Sequence, residues 1–364
     1  MYPVRPLLVS VLGLAALGVL ALAIAESTRH AVEAPYYEEK LHAAQLTAIA
    51  HRTLREERWG TGPVIDTVND PNETGLIGEE FTLITTDRGV LGAKLCSLNP
   101  NFGALVVGFL RDAGFGPGDL AAVNMTGSFP ALNAAVLAAI ESIGGRAVAI
   151  TSVGASMWGA NDPDFTWLDM ERALVERGVL QTRSVAASLG GGEDRGRGLS
   201  PEGRRLIREA ISRNGIPLIE EPTLEDSIAR RMAIFEAERG KDRYRACINV
   251  GGGLASLGAT QNGRLISPGL SRELGLHNFP RRGVVILMAE RGVPVVHLLE
   301  IEQLAREHGL PTAPIPLPEP GDGEIFAHED YHRAGVSLVL VVYLALVPIV
   351  LHLSLRESAK TRSA

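Results

Sequence analysis

Four short stretches of this 364-residue chain carry residue types able to bind or react. The first is Asn124-Met125-Thr126-Gly127-Ser128-Phe129-Pro130, set between an apolar run that reads as a strand and a helix predicted from Ala131. Such a turn presents backbone N–H groups and hydroxyls at the carboxyl end of a strand, where open α/β sheets bind ligands. Thr126, Gly127 and Ser128 are therefore candidate ligand-binding residues. Capping of the following helix explains the same residue types. A nucleophilic role for Ser128 is the third reading, although the nucleophile-elbow pattern needs glycine two residues to either side and here only Gly127 precedes it.

The second stretch, Asn249-Val250-Gly251-Gly252-Gly253-Leu254-Ala255-Ser256, also follows a predicted strand. Its glycines let backbone approach an anionic group closely, and the next helix would aim its N-terminus there. Asn249, Gly251, Gly252 and Gly253 join the candidate set, against the plainer reading of a tight strand-to-helix turn. The dinucleotide pattern fails at Ser256, where its third glycine belongs. If parallel strands bring both loops to one sheet edge, the two form a single cleft.

The third stretch, His328-Glu329-Asp330-Tyr331-His332, matches the zinc-protease spacing of two histidines one helical turn apart. It abuts a long apolar segment and leaves no following polar sequence for a third ligand, so no metal site is read from it. The fourth, Leu189 to Gly198 (LGGGEDRGRG), reads as a mobile surface loop, or as a lid or a loop that contacts a polymeric ligand. Arg195 and Arg197, with Arg204, Arg205 and Arg208 nearby, make it the densest basic region of an acidic chain. No cofactor motif and no catalytic set emerge from these patterns.

The elements that must position these residues alternate between strand and helix. Strands are predicted at Phe81–Thr85, Leu120–Asn124, Ala147–Thr151, Ile216–Glu220, Arg245–Val250 and Val284–Met288. Helices are predicted at Tyr36–Trp59, Asn101–Ala113, Ala131–Ile143, Leu168–Arg177, Pro201–Asn214, Leu224–Arg239 and Leu298–Glu307. This is the pattern of an α/β fold, with a mostly parallel sheet covered by helices. The proline-rich Leu310–Pro320 reads as an extended spacer.

Both ends of the chain are apolar. Residues 7–25 and 334–355 are free of charged residues, about 19 and about 22 residues long, enough for one transmembrane helix at each end. Arg5 precedes the first; Arg356, Lys360 and Arg362, against Glu357 alone, follow the second. By the positive-inside rule the tails, residues 1–6 and 356–364, are cytoplasmic, and residues 26–333 form an extracytoplasmic domain of a cytoplasmic (inner) membrane protein. Glu26, Glu33, Glu38 and Glu39, and later Glu324, Glu329 and Asp330, agree with that side, diluted by Arg29 and Arg333. Tyr36 and Tyr37 stand where aromatic residues favour the membrane interface. Ala23-Ile24-Ala25 has the form of a signal-peptidase site, and cleavage there would export the domain as well. The chain carries a net charge of −7, and with the basic tails set aside about −10, which excludes a nucleic-acid partner. Two cysteines, Cys96 and Cys247, are too few for a disulfide scaffold and fit one bridge or two buried thiols.

Several segments together resemble the bacterial poly-γ-glutamate system protein family. They are Asn69 to Gly78 (NDPNETGLIG), Ser97 to Phe102 (SLNPNF), Met125 to Asn133 (MTGSFPALN), Thr151 to Glu171 (TSVGASMWGANDPDFTWLDME) and Ile248 to Gly258 (INVGGGLASLG). The resemblance covers nearly the whole chain, both apolar ends included. It implies an accessory membrane component of poly-γ-glutamate synthesis, export or retention, as capsule or secreted polymer, with the ATP-dependent amide ligase and the membrane subunits of the synthase as partners. The resemblance supplies no catalytic residues. Alternatives from other classes are an extracytoplasmic hydrolase that trims the polymer, using Ser128, Glu220 or Glu221, and a structural subunit of the synthase complex. The anionic polymer would be a ligand only where basic patches offset the acidic surface.

Overall fold

The computed structural model describes residues 4–61, 65–275 and 278–363; the outermost positions of the two expected tails, Met1 to Pro3 and Ala364, lie outside the described residues. The chain divides into a compact unit, Pro35–Phe326, and a second unit made of the segments up to Ala34 and from Ala327.

In the larger unit seven strands form one sheet: β1 (Leu120–Thr126), β2 (Arg146–Ser152), β3 (Ser184–Ser188), β4 (Leu218–Ile219), β5 (Tyr244–Val250), β6 (Gly269–Ser271) and β7 (Val295–Leu298). Their spatial order is β4-β3-β2-β1-β5-β7-β6. Every pairing is parallel except β6 with β7. The chain therefore steps outward from β1 to one edge, then returns to lay β5 against the other side of β1. Side-chain alternation loads both faces: Ala121, Val123 and Met125 of β1 enter one core cluster, Leu120 and Ala122 the other.

Helix Pro130–Ser142 (PALNAAVLAAIES) explains the depth of the first face. It is buried from Pro130 to Ile140, as expected of a helix that is apolar all round. Its alanines are small enough for helices Tyr37–Thr61 and Phe102–Asp112 to pack against it as a further layer. The opposite face is covered by Leu224–Arg239 and Val284–Glu290.

Four expectations are corrected here. Val284–Met288 is helical, because a short run buried on successive residues carries no period to separate strand from helix. The strand of that region is β7, and the helix expected from Leu298 begins at Ile301. Phe81–Thr85 is mostly a turn, since Thr82 Oγ1 donates to the Asn161 carbonyl (2.5 Å) and accepts from Ile84 N (3.2 Å), while Thr85 Oγ1 accepts from Thr82 N (2.8 Å). Only Thr85–Asp87 is a strand, paired in parallel with Ala155–Ser156 outside the main sheet. The proline-rich segment is held on the domain rather than free: Asn72 Nδ2 donates to the Pro314 carbonyl, and Asn101 Nδ2 to those of Glu319 and Asp322.

The smaller unit consists of helices Val4–Ser27 and Arg333–Ser363, joined by an antiparallel pair, Arg29–Glu33 with Ala327–Tyr331. Leu8–Ser27 and Arg333–Arg356 are long and apolar enough to cross a membrane. Tyr343 Oη reaches the Leu14 carbonyl at 3.4 Å, so the two helices touch. His328 lies in the strand and His332 just beyond it. At about 3.3 Å rise per residue, four positions of extended chain do not give the one-turn proximity on which the zinc-protease pattern depends.

Candidate functional site

The loops after β1 and β5 leave adjacent strands at the point where strand order reverses, the crevice in which open α/β sheets bind ligands. Both border one cavity of about 660 Å³, lined from these loops by Thr126, Ser128, Gly252 and Gly253. Thr126 ties them together: its Oγ1 donates to the Val250 carbonyl (3.2 Å) and accepts from Ser128 N (3.3 Å).

The other candidates sit behind the lining. Gly127 N donates to the Ser152 carbonyl (2.9 Å) and its own carbonyl accepts from Ala160 (2.7 Å). Asn249 is fully buried; its Nδ2 donates to the Gly251 carbonyl (2.7 Å) and lies 3.0 Å from His297 Nδ1, while its Oδ1 accepts from Ser256 Oγ (2.5 Å). Accepting from Asn249 places the His297 proton on Nε2, which faces the Gly263 carbonyl at 3.4 Å. Burial pulls this imidazole down to about 4, so it stays neutral. Gly251 has φ of +84°, and a Cβ there would stand 2.6 Å from Thr126 Oγ1. Only glycine fits. Gly252 has no left-handed φ and open space where a Cβ would be.

Ser128 is no helix cap. The Pro130–Ser142 helix is capped at Phe129 without a side-chain bond, and Pro130 removes one donor that would need it. Ser128 Oγ instead accepts the Ser156 N–H at 3.0 Å. Its carbonyl accepts from Lys94 Nζ, which also donates to Ser156 Oγ at 2.9 Å and stands 3.8 Å over the Phe129 ring. Lys94 is 3% exposed, and among the described residues no carboxylate pairs with it. Burial lowers its ammonium to about 7, while the Phe129 face and the Ser128 carbonyl favour the charged form.

Lys94 escaped the sequence reading, and Ser156 entered it only as part of the Thr151–Glu171 stretch that carries the family resemblance. Lys94 comes from helix Leu91–Ser97 and Ser156 from the two-residue strand beside Thr85–Asp87. The available signal was a single lysine inside the otherwise apolar LGAKLCSL. Glu220 pairs with Arg208, and neither it nor Glu221 lines the cavity.

The glycine-rich loop is held in place, with Gly191, Gly192 and Arg197 on the cavity wall. At its centre Asp194 is 2% exposed and accepts from the hydroxyls of Ser188 (2.7 Å), Ser152 (3.1 Å) and Ser227 (2.6 Å). Arg231, equally buried, pairs with it at 3.1 Å. Of the basic cluster only Arg197 reaches the cavity; Arg195 and Arg204 bind carbonyls, Arg205 is held by Glu202 and Glu209, and Arg208 by Glu220. Arg88 and Arg306 add positive charge to the lining, with Asp87, Glu300 and Glu302 opposing. Cys96 and Cys247 are separate buried thiols, pushed up by burial to about 11 and about 12.

Fold and site together define a doubly wound α/β domain with a cavity of mixed polarity at its switch point. Comparisons with protein-family models, with characterised proteins and with solved structures find no match.

Proposed function

We propose that this protein binds a carboxylate-bearing ligand in the switch-point cavity, and that it serves as an accessory component of poly-γ-glutamate synthesis, export or retention. The observation that carries the binding reading is Lys94, an ammonium buried in the cavity wall without a carboxylate of its own. A buried charge lacking a counterion is costly, and a ligand carboxylate offsets that cost. Poly-γ-glutamate leaves one free carboxylate on each residue, and Arg88, Arg197 and Arg306 place further positive charge in the same wall. The polymer system itself is supported by the family resemblance, as are the ligase and membrane subunits as partners. The apolar terminal helices support a two-pass inner-membrane protein, and the basic tails support an outer-side location for the large unit.

Calorimetric titration of the full chain in detergent with short γ-linked glutamate oligomers tests this. Gly252→Val fills open space in the cavity at a position of ordinary backbone, so it is expected to leave the melting temperature unchanged and to weaken binding at least about tenfold, roughly 1.4 kcal/mol. Equal affinity in the wild type and Gly252→Val, or no binding by either, overturns the cavity as the ligand site.

A further inference from the structure

We propose that Ser156 and Lys94 form a serine–lysine dyad that cleaves an acyl bond, with a carboxylate-bearing acyl group as the substrate class. The proposal rests on the binding reading above for the substrate class only; a carboxylate paired directly with Lys94 would keep it charged, so in the reactive complex the ligand carboxylate lies against Arg88, Arg197 and Arg306 and Lys94 faces the scissile bond. Three geometric facts carry it. Lys94 Nζ lies 2.9 Å from Ser156 Oγ, within reach for proton transfer. Both partners are fixed: Ser156 belongs to a paired strand and its N–H is held by Ser128 Oγ, while Lys94 is tethered by the Ser128 carbonyl and the Phe129 face. Ser156 also lines the cavity, beside Gly89, where a Cβ would stand 3.3 Å from Oγ.

The arrangement differs from a satisfied structural lysine in what it lacks. A structural lysine this deeply buried is ordinarily neutralised by a carboxylate, and here the contacts are a hydroxyl, a carbonyl and a ring. Burial poises the amine near 7, so a substantial fraction is neutral at physiological pH and can accept a proton.

The chemistry balances with water as co-reactant. The neutral Lys94 amine takes the Ser156 Oγ proton as Oγ bonds to the carbonyl carbon. Collapse of the tetrahedral adduct breaks the carbon–nitrogen bond, and the Lys94 ammonium returns its proton to the leaving amine. Water then attacks the acyl-serine, giving a proton to Lys94; the ester bond breaks, Oγ recovers that proton, and a carboxylic acid leaves.

Purified full chain in detergent is treated with a fluorophosphonate probe, and separately with a γ-glutamyl anilide and with γ-linked glutamate oligomers. Ser156 is expected to carry the label by mass spectrometry, and anilide cleavage to rise with pH through about 7 as Lys94 loses its proton. Ser156→Ala and Lys94→Met are each expected to reduce labelling and cleavage by about a thousandfold or more. Ser156→Ala should still melt cooperatively, so that its loss of labelling and cleavage reads the missing hydroxyl and not an unfolded chain. If oligomers bind the wild type but Ser156 is neither labelled nor needed for cleavage, the dyad is wrong and the binding reading stands. If Ser156 is labelled and cleavage depends on it while oligomers do not bind, the dyad stands and the carboxylate-bearing substrate class is wrong. Labelling that survives in Ser156→Ala overturns the dyad outright.

Discussion

Lys94 concentrates the energetic cost of the site in one residue. Its ammonium has left water for a wall of mixed polarity, with one hydroxyl, one carbonyl and an aromatic face in return. Its pKa falls from 10.5 to about 7, so between those values the unfolded chain holds a proton that the folded chain has released. Stability therefore rises with pH across that window, and the desolvation penalty is fully present below about pH 7, where both states are charged. Lys94→Met keeps an unbranched apolar stem and removes the charge. The variant is expected to melt higher than wild type at pH 6, by about 1 to 3 kcal/mol, with the advantage shrinking steadily toward pH 10. Thermal melts of both proteins in the same detergent over that range check the sign and the slope. A variant less stable than wild type at pH 6 would show that the carbonyl and ring contacts outweigh desolvation.

At the scale of elements, the segment Gly190–Gly198 shows how composition and placement diverge. Five glycines and four charges in nine residues read as a flexible surface loop. What fixes it is Asp194, whose partners Ser152, Ser188, Ser227 and Arg231 come from β2, β3 and helix Leu224–Arg239, a convergence that local spacing does not encode. Removing one member of a buried ion pair strands the other, so Asp194→Ala is expected to cost about 3 to 5 kcal/mol and to weaken ligand binding through Gly191 and Gly192. Asp194→Asn combined with Arg231→Met, which leaves no buried charge, should recover most of the stability. Denaturant midpoints of the two proteins decide it, and equal losses in both would remove the ion pair as the reason the loop is ordered. The strands divide along the same line. β1, β2 and β5 were legible as apolar runs ended by turn residues, whereas β3 (SVAAS) has neither bulk nor alternation and is a strand because its neighbours bury it. β7 (VVHL) is four residues long with a histidine inside, satisfied by Asn249 from the adjacent strand.

For the whole molecule, what could be read in advance was whatever is continuous along the chain. The α/β alternation and the apolar ends are continuous, and so are the two loops at the sheet edge. Lys94 and Ser156 are 62 residues apart, and they meet only because Thr85–Asp87 pairs with Ala155–Ser156 and draws the following helix to the crevice. The terminal helices raise the remaining question of side. The basic tails argue for a cytoplasmic location of both ends, and the two native thiols, being buried, leave the wild-type chain silent to a membrane-impermeant maleimide. Lys241 is exposed in the turn after helix Leu224–Arg239, away from the cavity lining, so Lys241→Cys reports the side of the large unit without disturbing its core. We expect Lys241→Cys to be labelled in intact cells, stripped of any outer membrane barrier, and a cysteine appended after Ala364 to be labelled only once the inner membrane is permeabilised. The reverse pattern would place the large unit inside. It would also take the cavity away from an exported polymer while leaving the Lys94–Ser156 geometry as it is, so the location and the chemistry of the site stand or fall on separate measurements.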